Sequence, residues 1–347
     1  MVKTSDYHYL LDVENVKAVE WDEEQGTLIV RVSHKVEDIE DEKNVQLLAD
    51  VPVTVISEFD PDGHDYYEPL PVTPATETYA DGDRGEPHRP VLAGVSEIHY
   101  QGTAATAGAA YALVVDTSKG RWAPHIEAGD LVRTSNNHVY ADFGDADFGD
   151  DIIQPSPRDG GRRIRDISGQ LVGYVPFEDG VTVDIAARTR RDDRAITHEL
   201  DDGYGHAIYR GDFSGKGGEY LIKSGRTTGV TEGIIENTSA SVNVRLPTGV
   251  TRFDDVVVTP NMGSGGDSGS PAFFRDTGEL CAKLFAGSPA ATIFCKVKNI
   301  EEEFGVEYQP NGNDAPEPPD EEPEPPESLF CRLLRMVLPD RLVDFFC

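Results

Sequence analysis

A chain of 347 residues is long enough to bury a sizeable core and to hold more than one structural unit. Its 63 acidic against 31 basic residues give a formal charge of −32 at pH 7, and a surface so charged repels nucleic-acid phosphates and anionic lipid heads. No nucleic-acid partner is expected, and no stretch approaches the roughly 20 apolar residues needed to cross a bilayer.

The first residues, Met1 to His8, lack the basic region and apolar run of a secretory leader, so a cytoplasmic protein is expected. Val16–Trp21 and Thr27–Val32 flank an Asp-Glu-Glu-Gln-Gly turn, which predicts a hairpin. A short acidic helix over Glu37–Leu48 and a strand over Val51–Ile56 follow. From Asp60 to Arg89 the chain is rich in Pro, Asp, Gly and Tyr without periodicity, so residues 1–90 read as a small α/β extension with a linker.

Residues 91–308 show short apolar runs separated by turn residues and almost no helical period. The clearest strands are Tyr111–Val115, Leu171–Val175, Val181–Ile185, Gly233–Glu236 and Ser241–Leu246. Many short strands predict an all-β sandwich or barrel domain. Residues 309–327 are a proline-rich acidic tether. In 328–347, Leu329, Phe330, Leu333, Leu334, Val337 and Leu338 fall on one face of an amphipathic helix. Such a tail could dock on a protein partner, self-associate, touch a membrane or fold back on its own body.

The sharpest chemical signal is Gly265-Gly-Asp-Ser-Gly-Ser-Pro271. A serine that attacks a carbonyl needs backbone N–H donors aimed at the developing oxyanion, and glycines let the chain turn those donors inward. Here the donors would be Gly266 and Ser268. A glycine-rich turn between two strands would carry the same heptad. The histidines of the chain end at His206, so any base must precede Ser268, which excludes the Ser, Asp, His order of the α/β-hydrolases. His138 stands out at the end of an apolar approach, and Asp184 lies inside the apolar run Val181–Ala187, where an ionised carboxylate is costly without a partner. An imidazole N–H is such a partner, and it would free the other ring nitrogen to accept the serine proton.

Gly-Asp-Ser-Gly-Ser-Pro is similar to the nucleophile motif of trypsin-like peptidases. Lys223-Ser-Gly-Arg-Thr-Thr-Gly-Val-Thr-Glu-Gly-Ile234 resembles the opening of the second barrel in their bacterial alpha-lytic and streptogrisin branch. Ser135-Asn-Asn-His-Val139, with Gly149–Gly160 after it, resembles an apparently cytosolic group of the same family. The resemblance implies two six-stranded antiparallel Greek-key barrels, with His138, Asp184 and Ser268 in the cleft between them. It implies peptide or protein substrates and no cofactor or metal. It also implies that Arg226 pairs with Asp267 to support the oxyanion loop, and that the strand from Ala282 to Gly287 forms one wall of a substrate pocket. Met262, Phe285, Ala286 and Gly287 would make that pocket apolar.

The secreted relatives carry cysteines at the places held here by Val139, Ile222 and Glu232, so a reducing compartment is favoured. Cys281 and Cys295 flank a turn near Ser288 that would set them opposite each other, as two thiols or a cross-strand disulfide. The carboxylates of Asp142–Asp151 could hold calcium or form a solvated acidic loop. The acidic composition resembles that of proteins from salt-accumulating archaea or their viruses; an ordinary acidic surface is the alternative. The expected activity is a serine endopeptidase, and a non-catalytic binding or virion-associated assembly protein is the rival.

Overall fold

The computed structural model describes residues 3–13, 15–22, 25–33, 51–58, 66–69, 83–109, 111–190 and 212–308. The expected helix over 37–48, the acidic tether and the C-terminal helix lie outside them. Contacts divide the chain into two units, Met1–Gly312 and Asn313–Cys347, and every element below belongs to the first.

The architecture is all-β and consists of two sheets. The first follows from alternating or continuous apolar runs in β4 (Ile98–His99), β5 (Tyr111–Val114), β7 (Leu131–Ser135), β8 (Asp151–Ile153), β9 (Ile167–Tyr174) and β10 (Ala186–Thr189). Its order is β18-β5-β7-β10-β9-β8-β4, where β18 (Val306–Tyr308) is contributed from the far end of the unit, and β6 (Arg121–Trp122) pairs with β9. The second is built from β11 (Tyr220–Gly225), β12 (Gly229–Ile234), β13 (Asn237–Leu246), β14 (Gly249–Pro260), β15 (Pro271–Phe274), β16 (Leu280–Gly287) and β17 (Ala291–Lys296). It is extended to ten strands by the N-terminal β1 (Val16–Asp22), β2 (Thr27–Val32) and β3 (Val53–Ser57).

The predicted hairpin is present, with Gly26 at φ +62° closing its turn. It does not stand apart as a separate extension: Ala18 pairs with Val242, which adds β1 to the edge of β13. β3 runs parallel to β2, and such a pairing requires a crossover connection of the length of residues 33–52. The acidic residues of this region are not all on the surface. Arg31 bonds Glu20 at 2.7 Å and Glu58 at 3.2 Å, and Lys17 lies 3.6 Å from Glu58, all buried.

Two predicted strands are corrected. Gly233–Glu236 runs over the end of β12, with Ile235 and Glu236 outside any strand. Val181–Ile185 makes a single bridge, from Val181 to Phe253, and the strand begins only at Ala186. Val183 and Ile185 are buried because a loop is packed into the core, so the alternation reported burial without a ladder. That loop carries Asp184.

Candidate active site

His138 sits on the short helix Asn137–Tyr140, which caps β7. The helix is fastened from behind by Tyr140, whose hydroxyl donates to Glu97. Glu97 also accepts from Arg188 at 2.7 Å. Burial would raise the Glu97 carboxyl, but Arg188 and Arg133 outweigh it and hold the group below its ordinary value.

Asp184 is fully buried, and its Oδ2 lies 2.5 Å from Nδ1 of His138. Its Oδ1 accepts the backbone N–H groups of Asn137 at 2.6 Å and His138 at 3.3 Å. Asn136 donates its amide to the Asp184 carbonyl at 2.9 Å, and Asn137 donates to Val175 at 2.7 Å. The two asparagines before the histidine therefore clamp the Asp184 loop onto the helix. Sequence reasoning had no role for them.

Ser268 lies on the loop before β15 and is 4% exposed. Its carbonyl accepts the Thr106 N–H at 2.9 Å, and the Thr106 carbonyl accepts the Ser135 hydroxyl at 3.0 Å. Two hydrogen bonds thus join the loop to the end of β7, which leads directly into His138. Gly269 permits this approach, since a Cβ there would meet Ser135 Oγ at 2.2 Å and the Thr106 carbonyl at 2.3 Å. Among the described residues, no hydrogen bond joins the His138 imidazole to the Ser268 hydroxyl.

The preceding peptides are held in a defined orientation. Gly266 has φ +97°, open to glycine and rarely to other residues. Thr227 Oγ1 donates to the Gly265 carbonyl at 2.7 Å. In a trans peptide the N–H points opposite to the carbonyl, so the Gly266 N–H is turned away from Thr227. Among the described residues neither it nor the Ser268 N–H has an acceptor. Thr227 was not singled out in the sequence.

The expected Arg226–Asp267 pair is corrected. Arg226 forks onto Asp159, with Nε at 2.9 Å and Nη2 at 2.5 Å. Asp267 is paired with Lys223 at 3.3 Å and also accepts from Thr227, Thr228 and Ser264. Burial lowers the pKa of Lys223 and Asp267 partly restores it. The physical reason is reach: the alternation of β11 turns Lys223 toward Asp267, while Arg226 lies past the strand end, facing the turn Pro157–Asp159 of the first sheet. Asp159 falls in the segment Gly149–Gly160 that carried the family resemblance, so its signal was present without a partner assigned to it.

The expected apolar pocket is also corrected. Met262 packs with Leu284 in one apolar cluster. Phe285 and Ala286 belong to another, where the Phe285 ring lies 4.8 Å from that of Phe253. The alternation of β16 is interrupted between Leu284 and Ala286, so Phe285 and Ala286 share a cluster that does not include Met262. Cys281 and Cys295 are free thiols: the register sets Cys295 opposite Lys283 and not opposite Cys281, and the two sulfurs belong to different clusters. Cys295 Sγ instead accepts the Asp184 N–H at 3.1 Å.

Lys283 is buried beneath the site. Desolvation pushes its pKa down to about 7, with Arg133 adding to the fall and Asp184 opposing it. No group of carboxylate, histidine or cysteine side chains suited to a metal ion occurs among the described residues. In the acidic loop, Asp150 caps the Asp147 N–H at 3.1 Å and Asp151 bonds Arg163 at 2.7 Å. No helix among the described residues is long and apolar enough to cross a membrane.

No protein-family model and no curated protein matches this sequence. Solved structures do resemble it. Protease A of Thermobifida fusca is 16% identical with a TM-score of 0.44, over 64% of this chain and 99% of that one. A serine protease specific for glutamic acid, described as using a histidine triad in substrate binding, is 18% identical with a TM-score of 0.44, over 63% and 100%. An alpha-lytic protease homolog is 19% identical with a TM-score of 0.43, over 62% and 98%. At these identities and scores, the chemistry of the site rests on the geometry above and not on the likeness.

Proposed function

We propose that this chain is a serine endopeptidase that hydrolyses peptide bonds through an acyl-enzyme. Ser268 Oγ attacks the scissile carbonyl carbon and its proton passes to Nε2 of His138. Asp184 accepts the Nδ1–H bond, which fixes the tautomer that leaves Nε2 free and stabilises the imidazolium as it forms. The N–H groups of Gly266 and Ser268 take the oxyanion. The imidazolium then protonates the leaving amine, and a water molecule repeats the sequence on the acyl ester.

The observation that carries this reading is the 2.5 Å contact between His138 and a buried Asp184 whose remaining oxygen is filled by backbone N–H groups. Such a carboxylate has no other side-chain hydrogen bond to make. Ser268→Ala should abolish turnover and labelling by a small fluorophosphonate; label that persists in the variant assigns the nucleophile elsewhere. Assays across a series of salt concentrations test the proposed halophily at the same time.

A non-catalytic binding or assembly role is the second reading. It is favoured by the absence, among the described residues, of a hydrogen bond between His138 and Ser268. Protein that takes no label and cleaves no peptide in a library at any salt concentration establishes it.

A further inference from the structure

The last turn of β16 is not an open edge. β15 covers β16 only as far as Lys283, which pairs with Pro271. Beyond it, Leu284 exchanges hydrogen bonds with the nucleophile loop: Gly269 N–H to its carbonyl at 3.0 Å, and its N–H to Ser270 at 3.0 Å. Three residues further on, Gly287 exchanges both of its backbone groups with Glu68. The Gly287 N–H donates to the Glu68 carbonyl at 2.9 Å and the Glu68 N–H donates to the Gly287 carbonyl at 3.2 Å, an antiparallel bridge.

The segment Tyr66–Pro69 is built to stay there. The Tyr67 N–H donates to Asn243 and its carbonyl accepts from Arg245, each at 2.8 Å. Its fully buried ring lies 4.8 Å from the Lys17 ammonium, and its hydroxyl donates to Glu58 at 2.9 Å. Arg245 stacks over the Tyr66 ring at 3.7 Å. Glu68 and Pro69 then line a shallow depression of about 240 Å³ together with Phe143 and Leu246. Phe143 stacks on the His138 imidazole at 5.6 Å. The segment therefore reaches from the edge of β16 to a neighbour of the histidine.

An extended peptide gains affinity by adding its backbone to a sheet edge of this kind. We propose that Tyr66–Pro69 is a tethered ligand of the cleft, occupying through Glu68 the edge at Gly287 on which an extended peptide substrate would pair. The inference rests on the peptidase reading above and adds its regulation: an incoming peptide must displace the chain's own strand before it can lie along β16. A reagent with no backbone to pair does not meet this competition.

The test uses the full chain and Glu68→Pro, which removes the donor to Gly287, with two reagents that modify the nucleophile. One is a small fluorophosphonate and the other a tetrapeptidyl phosphonate. The expected result is labelling by the peptidyl reagent at least tenfold faster in the variant, with the small reagent unchanged within twofold. Equal rates of peptidyl labelling in the two proteins overturn the proposal. Should Glu68→Pro not fold, Tyr66→Ala, which removes the stack on Arg245, is held to the same criterion. Amide exchange at Gly287 is read in parallel. Protection in the parent that is lost in the variant is expected, and fast exchange in the parent overturns the occupancy claim. Failure of the small reagent to label either protein counts against the peptidase reading, and Gly287 exchange then decides the occupancy claim on its own.

Discussion

The histidine segment and the nucleophile loop each rest on a fully buried carboxylate, and the two are held in opposite ways. Asp267 has a resident cation, Lys223, and further donors from Thr227, Thr228 and Ser264. Its charge is answered whether or not anything reacts, so it acts as a fastener. Asp184 is held by backbone N–H groups on one oxygen and by an imidazole on the other. Its charge is answered most fully when that imidazole is protonated, a state reached only when a proton is taken up. On the proposed reading, two aspartates of equal burial are separated into a structural and a chemical role by the kind of donor around them.

The comparison can be broken at four places. The largest effect is expected from Asp184→Asn, which keeps the shape but favours the wrong imidazole tautomer; turnover should fall about 10⁴-fold while the denaturation midpoint moves little. Lys283→Met comes next, because it removes a buried amine beneath Asp184 without a large change in volume. The folded-state pKa of Lys283 is about 7 against an ordinary 10.5. Between those values the unfolded chain binds a proton that the folded chain does not, so stability rises with pH across this window. The burial cost is complete below about pH 7 and gone above 10.5. Denaturant titrations should therefore find the methionine variant more stable by up to about 5 kcal/mol at pH 6, with the advantage vanishing as pH approaches the ordinary lysine value.

Asp267→Ala should destabilise the protein by about 3 to 5 kcal/mol, because it leaves the Lys223 ammonium buried and unpaired. Replacing both residues together, with Lys223→Met, should recover much of that loss if the fastener reading is right. The smallest effect is expected from Thr227→Val. It releases the Gly265 carbonyl, so the peptide that presents the Gly266 N–H is free to turn, and turnover should fall roughly tenfold to a hundredfold with stability lowered by about 1 kcal/mol.

The strands β1, β2, β5, β9 and β13 were legible because each is a short, largely buried apolar run bounded by turn residues. The Asp184 loop was misread by the same signal, since a loop packed into a core alternates as a strand does. His138 and Asp184 could be picked out from type and context, and they are in contact. The supports around them could not. Asp159 and Arg226 are joined across 67 positions of sequence, and no local pattern encodes such a pairing. The clamping asparagines and Thr227 act through backbone groups, which leave no mark on composition. Lys283 did leave one, as a lone cation in the apolar run Leu280–Gly287, and burial of that run should have drawn attention to it.

The strand β18 has a consequence for how the molecule comes into being. It pairs Val306 with Val114 and Tyr308 with Ala112, so the sheet that bears His138 gains its last member from residues translated after the whole of the other sheet. That other sheet in turn takes in β1, from the earliest part of the chain. The second sheet therefore needs residues up to Lys296 and the first needs residues up to Tyr308, although folding usually proceeds unit by unit from the N-terminus. A chain interrupted before residue 306 would leave the β5 edge of the sheet that bears His138 without its partner strand.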